Sequence, residues 1–249
     1  MLPLSDSVAR RQPPFVTWAL IAINVLVFLH ELALPPPARA LFLRIYALVP
    51  ADYAHAGSFF THPLDYYPFL TNAFLHGGWL HLIFNLWTLW LFAPAVEDRL
   101  GAARFLSFYL GAALAASVTH AFFNATSTVP ALGASGAIAG VIGCYARLFP
   151  FARLLLVVPI LFFPFFFEVP ALVFAALWFL MQMLPGLLSL AMEQPAGGIA
   201  WWAHIGGFAA GWLATPWLVR TGRTRRRYYD DEGIFGFLPD GRRDRRPWR

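Results

Sequence analysis

The chain contains no lysine, a single cysteine and few charged residues of any kind. All 18 of its basic residues are arginine, charged residues occupy 12% of the 249 positions, and hydrophobic residues occupy 59%. Typical soluble domains have about 25% charged and roughly 45–50% apolar residues. The shortage of charge therefore argues against an ordinary soluble protein and favours one that lies in a lipid bilayer.

Several motifs that would indicate other chemistry are also missing. Cys144 has no partner for an internal disulfide, and within its apolar run we interpret it as a packing residue. The sequence has no cysteine–histidine set with zinc spacing, no Walker loop and no dinucleotide-binding fingerprint. It also has no visible internal repeat, which argues against transporters built from inverted halves. We therefore expect no cofactor, no metal and no nucleic-acid partner.

Six apolar segments are candidate membrane helices, since a bilayer core requires about 20 residues per helix. They cover residues 14–34, 79–95, 103–123, 133–148, 169–190 and 199–219. The fourth segment is short and begins with small residues, so it predicts a water-accessible pocket above its start. Residues 149–167 are apolar but contain three prolines, and there we expect an interfacial loop. The predicted fold is all-α, a polytopic membrane protein with six transmembrane helices.

The distribution of arginine predicts the orientation and the domain limits. With a cytoplasmic N-terminus, every arginine except Arg39 and Arg44 falls on the cytoplasmic side, as the positive-inside rule expects. Residues 1–13 are then a cytoplasmic segment, 14–220 the six-helix membrane domain, and 221–249 a flexible basic cytoplasmic tail. The tail either sets topology alone or also contacts anionic lipids. Arginine without lysine suggests a GC-rich genome, so we expect a prokaryotic plasma membrane.

A serine and a histidine lie in two separate glycine-rich spans. Ser135 belongs to Gly-Ala-Ser-Gly at 133–136, and His204 belongs to Ala-His-Ile-Gly-Gly at 203–207. Polar side chains are costly inside hydrocarbon and usually have a function there. Serine becomes a nucleophile when a base lies within about 3 Å of its hydroxyl. A catalytic pair of these two residues requires the fourth and sixth helices to touch.

Glycines at helical spacing accompany both residues. Gly136 and Gly140 are four residues apart, as are Gly207 and Gly211, and Gly133 precedes the serine. Such pairs let helices approach closely in lipid. Ordinary tight packing would explain either stretch alone. The presence of a reactive residue at the N-terminal end of both favours catalysis.

The second span adds His81 and Asn85, which lie on one helical face because they are four residues apart. Their N–H groups, with the backbone N–H of Ser135, suit the stabilisation of an oxyanion. Taken alone, the two side chains are better explained as a polar clasp between helices. We interpret His76 as an interfacial or helix-capping residue, and Glu97 as a structural residue at the second cytoplasmic turn.

The ordered motifs resemble those of rhomboid family intramembrane serine proteases. The motifs are H-x-x-x-N at 81–85, G-x-S-G at 133–136 and A-H-x-G-G-x-x-x-G at 203–211, joined by E-x-x-x-G-x-x-R at 97–104 and T-x-x-F-x-H at 71–76. Each motif alone is weak, but their ordered combination over about residues 60–215 is specific.

The resemblance implies a six-helix bundle with a Ser135–His204 dyad and an oxyanion site formed by His81, Asn85 and the Ser135 amide. It implies substrates that are themselves membrane helices, cut near the outer leaflet at small residues. It also implies a first outer loop, here 35–78, that lies partly in lipid, and a mobile fifth helix and cap loop at about 192–198 that control entry.

Two positions depart from the family pattern. Tyr67-Pro68 stands where some members have Trp-Arg, so the anchoring of the first outer loop must differ. Ala139 stands where some members have an aromatic residue beneath the catalytic histidine, so either another ring steadies His204 or the imidazole is held less firmly. No aspartate or glutamate is placed to orient His204, and we therefore expect a dyad.

Two other functions compete with proteolysis. A non-catalytic relative that escorts membrane proteins would be expected to lack the dyad. A transporter or channel could use His81, Asn85 and His204 as a polar path. The transporter or channel function is opposed by the lack of internal repeats and by the lack of carboxylates within the membrane. Glu168, at the membrane edge, is the one exception to the second point. The sequence does not predict the oligomeric state or name a substrate.

Overall fold

The computed structural model describes residues 2–54, 63–160, 163–191 and 200–219. His55, His62, the predicted cap loop at 192–198 and the predicted tail at 221–249 lie outside the described residues. The helices, in chain order, are α1 Phe15–Ala33, α2 Pro36–Tyr46, α3 Pro68–Thr71, α4 Trp79–Leu100, α5 Ala102–Phe123, α6 Ser135–Leu148, α7 Ala171–Ala191 and α8 Trp201–Leu218.

A helix occupies each of the six predicted spans. The boundaries agree to within two residues, except that α4 passes through Pro94 and continues to Leu100. Among the described residues, α1, α4, α5 and the Ala171–Ser189 part of α7 are long and apolar enough to cross a membrane. The 14 residues of α6 cover only about 21 Å. The long apolar helices therefore indicate an integral membrane protein. The number of six membrane spans stays a prediction.

The fold is mostly helical, as expected, but it is not purely α, because three strands form a small antiparallel sheet. They are β1 Leu2–Asp6, β2 Arg153–Ile160 and β3 Phe163–Pro170, in the order β1-β2-β3. The prolines that oppose a helix in this region are compatible with extended chain, and Pro159 pairs with Pro164 across the hairpin. The segment predicted as an interfacial loop at 149–167 is therefore mostly a β-hairpin that extends to Pro170.

The first strand joins the N-terminal segment to the rest of the fold. Leu2 pairs with Val157, and the indole N–H of Trp87 donates to the Pro3 carbonyl at 2.8 Å. Tyr145 donates to the Asp6 carboxylate at 2.9 Å. Residues 2–6 of the predicted N-terminal segment therefore pack against α4 and α6.

Helix α6 lies at the centre and meets α8 backbone to backbone. A Cβ added at Gly207 would collide with the Gly136 carbonyl oxygen, and one added at Gly211 would collide with the Gly140 carbonyl oxygen. A Cβ at Gly140 would lie 2.6 Å from Ala112 of α5. The predicted contact between the fourth and sixth spans is thus present, and these four glycines make it possible.

Glu97 anchors the start of α1 from the C-terminal end of α4. Its carboxylate accepts hydrogen bonds from the backbone N–H groups of Val16 and Thr17, both at 2.8 Å, and from the Thr17 hydroxyl at 2.7 Å. The first N–H groups of a helix have no partner inside the helix, and a negative charge is favourable at that end. The structural interpretation of Glu97 agrees with these contacts.

The first outer loop is anchored beside the start of α6. Backbone hydrogen bonds join Leu48 to Ala131 in both directions, at 3.1 and 2.7 Å. Thr71 donates to the Tyr46 carbonyl at 2.7 Å, while Asn72 donates to the Pro68 carbonyl and, at 2.9 Å, to Ser117. These contacts tie the loop down at the place where the sequence departs from the Trp-Arg pattern.

Candidate active site

Ser135 is the first residue of α6 and follows a sharp change in backbone direction. Gly133 has a φ of 122°, a conformation that residues with a Cβ rarely adopt. Its N–H donates to the Asn72 carbonyl at 2.9 Å, which fixes the chain just before the serine. Because α6 begins at Ser135, its first N–H groups are not used by the helix and face the region around the hydroxyl. This end of the helix also favours a negative charge.

His204 lies in the first turn of α8, opposite Ser135. Its Nε2 atom is 2.7 Å from Ser135 Oγ, and both residues are partly exposed. This distance matches that of a hydroxyl donating to a ring nitrogen. The glycine contact between α6 and α8 sets the separation, because it fixes the two helix backbones that carry the pair.

Gln182 of α7 contacts the other nitrogen of the same ring. His204 Nδ1 is 2.8 Å from Gln182 Oε1, and the Gln182 amide nitrogen donates to the Trp178 carbonyl at 3.3 Å. The sequence analysis missed this residue because it looked for a carboxylate. The available signal was a single amide within the otherwise apolar span at 169–190.

Two tryptophan rings flank His204. The Trp178 ring centroid is 5.9 Å from the imidazole and tilted by 41°, and the Trp201 centroid is 6.3 Å away and nearly perpendicular. Ala139 is fully buried. The expectation that another ring would replace the aromatic residue absent at Ala139 agrees with these contacts.

His81 and Asn85 pack against the glycine that leads into Ser135. A Cβ added at Gly133 would lie 2.6 Å from the His81 ring and 3.6 Å from Asn85 Nδ2. Only glycine fits at position 133, because a Cβ would collide with the His81 ring and because the backbone has a positive φ. The two side chains of α4 are thus brought to the N-terminal end of α6, as the oxyanion hypothesis requires.

His76, which we interpret from the sequence as an interfacial or helix-capping residue, has a completely buried side chain. Its Nε2 atom is 3.0 Å from Asn85 Nδ2. Burial, with a smaller effect from His81, lowers the pKa of His76 to about 4. The ring is therefore neutral at physiological pH and can accept a hydrogen bond from the Asn85 amide.

Glu31 is a second buried group that the sequence analysis missed. It lies near the end of α1, is fully buried, and accepts a hydrogen bond from the His76 backbone N–H at 3.3 Å. The statement that Glu168 is the one carboxylate near a span was therefore wrong. Glu31 binds the turn that carries His76 and so supports the contact to Asn85.

A cavity of about 20 Å³ lies beside Ser135. Asn72, Ser117 and His120 contribute polar side chains to its walls. A cavity of about 10–15 Å³ with two to four polar partners is enough to hold one water molecule. The cavity can therefore hold one water next to the serine. In the part of the chain that the structure describes, no group of three histidine, cysteine, aspartate or glutamate residues is arranged to hold a metal.

Comparison with known proteins supports the resemblance read from the motifs. The family model for the Rhomboid domain matches residues 63–221. Rhomboid protein 1, mitochondrial, of Saccharomyces cerevisiae is 32% identical over 209 residues, which cover 82% of this chain and 53% of the yeast protein.

Two Bacillus subtilis proteins match over shorter stretches. The putative rhomboid protease YdcA is 40% identical over 81 residues, and the rhomboid protease GluP is 42% identical over 79 residues. These matches cover 32% of this chain each, with 40% of YdcA and 15% of GluP. The chain thus spans about half or less of the relatives it matches. Because the domain model covers well over half of its residues, the chain belongs to the rhomboid family.

Proposed function

We propose that this chain is an intramembrane serine endopeptidase that hydrolyses peptide bonds in or next to transmembrane helices of other membrane proteins. The observation that carries the proposal is the 2.7 Å contact between His204 Nε2 and Ser135 Oγ at the N-terminus of α6. Two relatives are named as rhomboid proteases, which supports the same activity.

In the first half of the reaction, His204 Nε2 takes the proton of the Ser135 hydroxyl while Oγ attacks the substrate carbonyl carbon. The carbonyl oxygen becomes an oxyanion. His204 then gives the proton to the leaving amine, the peptide bond breaks, and an ester to Ser135 remains.

The oxyanion is stabilised by donors at the start of α6. The Ser135 backbone N–H, His81 and the Asn85 amide are the groups that we assign to this role. They belong to α4 and α6, so the packing of two helices arranges them before substrate binds, which is the condition for strong electrostatic stabilisation. In this scheme Asn85 is held by His76.

In the second half, a water molecule hydrolyses the ester. The small polar cavity beside Ser135 supplies a place for that water. His204 takes a proton from the water as it attacks the ester carbonyl, and then returns the proton to Ser135 Oγ as the acid product leaves. The hydroxyl and the neutral imidazole are restored.

The setting of the reaction follows from the predicted topology. We propose that residues 14–220 form the membrane domain, that 221–249 are a basic cytoplasmic tail, and that the site opens to the side opposite both termini. Some relatives are named as mitochondrial, so the prokaryotic plasma membrane stays a prediction from arginine usage alone.

A serine-reactive fluorophosphonate probe tests the nucleophile. We expect the purified protein in detergent to be labelled once, with the probe located on Ser135 by peptide mass spectrometry. Ser107 and Ser189 are internal controls, because their hydroxyls donate to backbone carbonyls. Labelling spread equally over these serines, or its absence from Ser135, would contradict the proposal and favour a non-catalytic role.

Asn85→Ala is expected to lower kcat by about 10- to 1000-fold in a liposome cleavage assay, because one oxyanion donor is lost. Thr88→Ala, one turn further along α4, is the matched control. Thr88 is half-buried, and its hydroxyl donates to the Phe84 carbonyl of its own helix. Equal activity of the two variants would remove Asn85 from the oxyanion site.

A further inference from the structure

Gln182 and Ser135 lie on opposite sides of the His204 ring. Gln182 Oε1 is 2.8 Å from Nδ1, and Ser135 Oγ is 2.7 Å from Nε2. Gln182 is 8% exposed on a helix that is otherwise almost entirely apolar. A buried amide in this environment is costly unless it is hydrogen-bonded. The hydrogen bonds of the Gln182 amide therefore explain why this residue is tolerated at a buried position in α7.

The orientation of the Gln182 amide follows from its second contact. The amide nitrogen donates to the Trp178 carbonyl oxygen at 3.3 Å. Rotating the amide by half a turn would place two oxygen acceptors against each other. The Gln182 oxygen therefore faces His204, and since that oxygen can only accept, His204 Nδ1 carries the proton.

We propose that Gln182 is a positioning residue that holds His204 in the tautomer whose Nε2 lone pair faces Ser135. The inference rests on the proposed dyad and adds a third member to it. In soluble serine proteases an aspartate performs this task, and a partner that stabilises the wrong tautomer lowers kcat by about 10⁴-fold. Within a membrane, an amide supplies the acceptor without the cost of burying a charge.

The same contact acts during the proton transfer. When the Ser135 proton moves to Nε2, the ring becomes an imidazolium whose Nδ1–H still donates to the Gln182 oxygen. The carbonyl dipole of the amide then stabilises the positive charge. Without this acceptor, the tautomer protonated at Nε2 competes, and that form has no lone pair directed at the serine.

Three variants of α7 separate positioning from packing. Gln182→Leu removes the acceptor at similar volume, and Gln182→Glu keeps a carbonyl oxygen in either protonation state. Met181→Leu is the matched control, because Met181 is adjacent to Gln182 in the chain but is 68% exposed. Each is purified in detergent, compared with the parent by thermal melting, and assayed for fluorophosphonate labelling and for kcat and KM in liposomes.

We expect Gln182→Leu to lower the labelling rate and kcat by about 10- to 100-fold with KM nearly unchanged, as is typical when a residue that orients a reactive group is lost. Gln182→Glu should recover a substantial part of that loss, and Met181→Leu should match the parent. Equal rates in Gln182→Leu and Met181→Leu would overturn the proposal. Equal losses in Gln182→Leu and Gln182→Glu would also overturn it.

The tautomer can be measured in the parent protein without any substitution at Gln182. Nitrogen-15 NMR of histidine-labelled protein, with the His204 signal assigned by its loss in His204→Asn, reports which ring nitrogen carries the proton. We expect Nδ1–H, and a predominant Nε2–H would overturn the inference. A parent protein that labels at Ser135 while Gln182→Leu labels equally well refutes this inference alone. A parent that fails to label refutes the proposed function instead.

Discussion

Replacing Ser135 with alanine is expected to abolish cleavage of a single-span reporter protein in liposomes, with a loss of about 10⁴-fold or more in kcat. Removal of the nucleophile from a serine hydrolase leaves only the effects of binding and of the oxyanion donors. His204→Ala is expected to be similarly inactive. Because the two residues act as one unit through their 2.7 Å contact, the double variant should be no worse than either single one.

Ser107→Ala is the matched control for this series. Ser107 lies on α5, is exposed, and donates to the Ala103 carbonyl at 3.1 Å. It should retain the activity of the parent. Cleavage by Ser135→Ala at the rate of Ser107→Ala would disprove the proposed mechanism, whatever the result of fluorophosphonate labelling.

Gly211→Val is expected to have the largest effect on stability. A Cβ at Gly211 would strike the Gly140 carbonyl oxygen, which belongs to the backbone of α6 and cannot rotate away. Overpacking of a core costs about 1–3 kcal/mol when side chains can adjust. Here α6 and α8 must separate, so we expect a loss of about 3 kcal/mol or more in the free energy of unfolding, with lower yield and early melting in detergent.

Gly111→Ala provides the control, because no atom lies within 4 Å of the position that its Cβ would take on α5. Alanine favours a helix over glycine by about 0.5–1 kcal/mol, so this variant should melt at or slightly above the temperature of the parent. Equal melting temperatures for Gly211→Val and Gly111→Ala would mean that α6 and α8 do not meet through their backbones.

The contact between α6 and α8 could be predicted because its signal is local. Glycines four residues apart mark the face on which a helix can approach another, and Ser135 and His204 each require a polar partner in lipid. Two helices that satisfy both demands have few other ways to pack. The sequence therefore predicted the contact between these two helices and the close approach of Ser135 and His204.

The sheet could not be predicted in the same way. An apolar run with prolines, such as residues 149–167, is compatible with a loop, a strand or a broken helix by periodicity alone. Its conformation depends on pairing between Arg153–Ile160 and Phe163–Pro170, and on a third strand, Leu2–Asp6, which is distant in sequence and too short to be recognised as a strand.

The contacts of Gln182, His76 and Glu31 could not be predicted from the sequence for a related reason. Each is one polar residue in an apolar setting, and the sequence does not say which helix lies opposite. His76 was interpreted as interfacial because it lies one turn before His81, but Glu31 of α1 and Asn85 of α4 both contact it. Searching for an acidic partner of His204 also excluded the amide that contacts it.

The weak packing of α7 gives the bilayer a way to influence the reaction rate. Only 22% of its apolar stretch is buried by protein, compared with 50% for α4, so in a bilayer acyl chains would be its main neighbours. Helices adjust their tilt to the thickness of the surrounding hydrocarbon. A thinner or thicker membrane would therefore tilt α7 and strain the hydrogen bond that His204 donates to Gln182, while the glycine-packed helices keep serine and imidazole at a constant separation. Lipid composition would then change kcat without changing the position of Ser135.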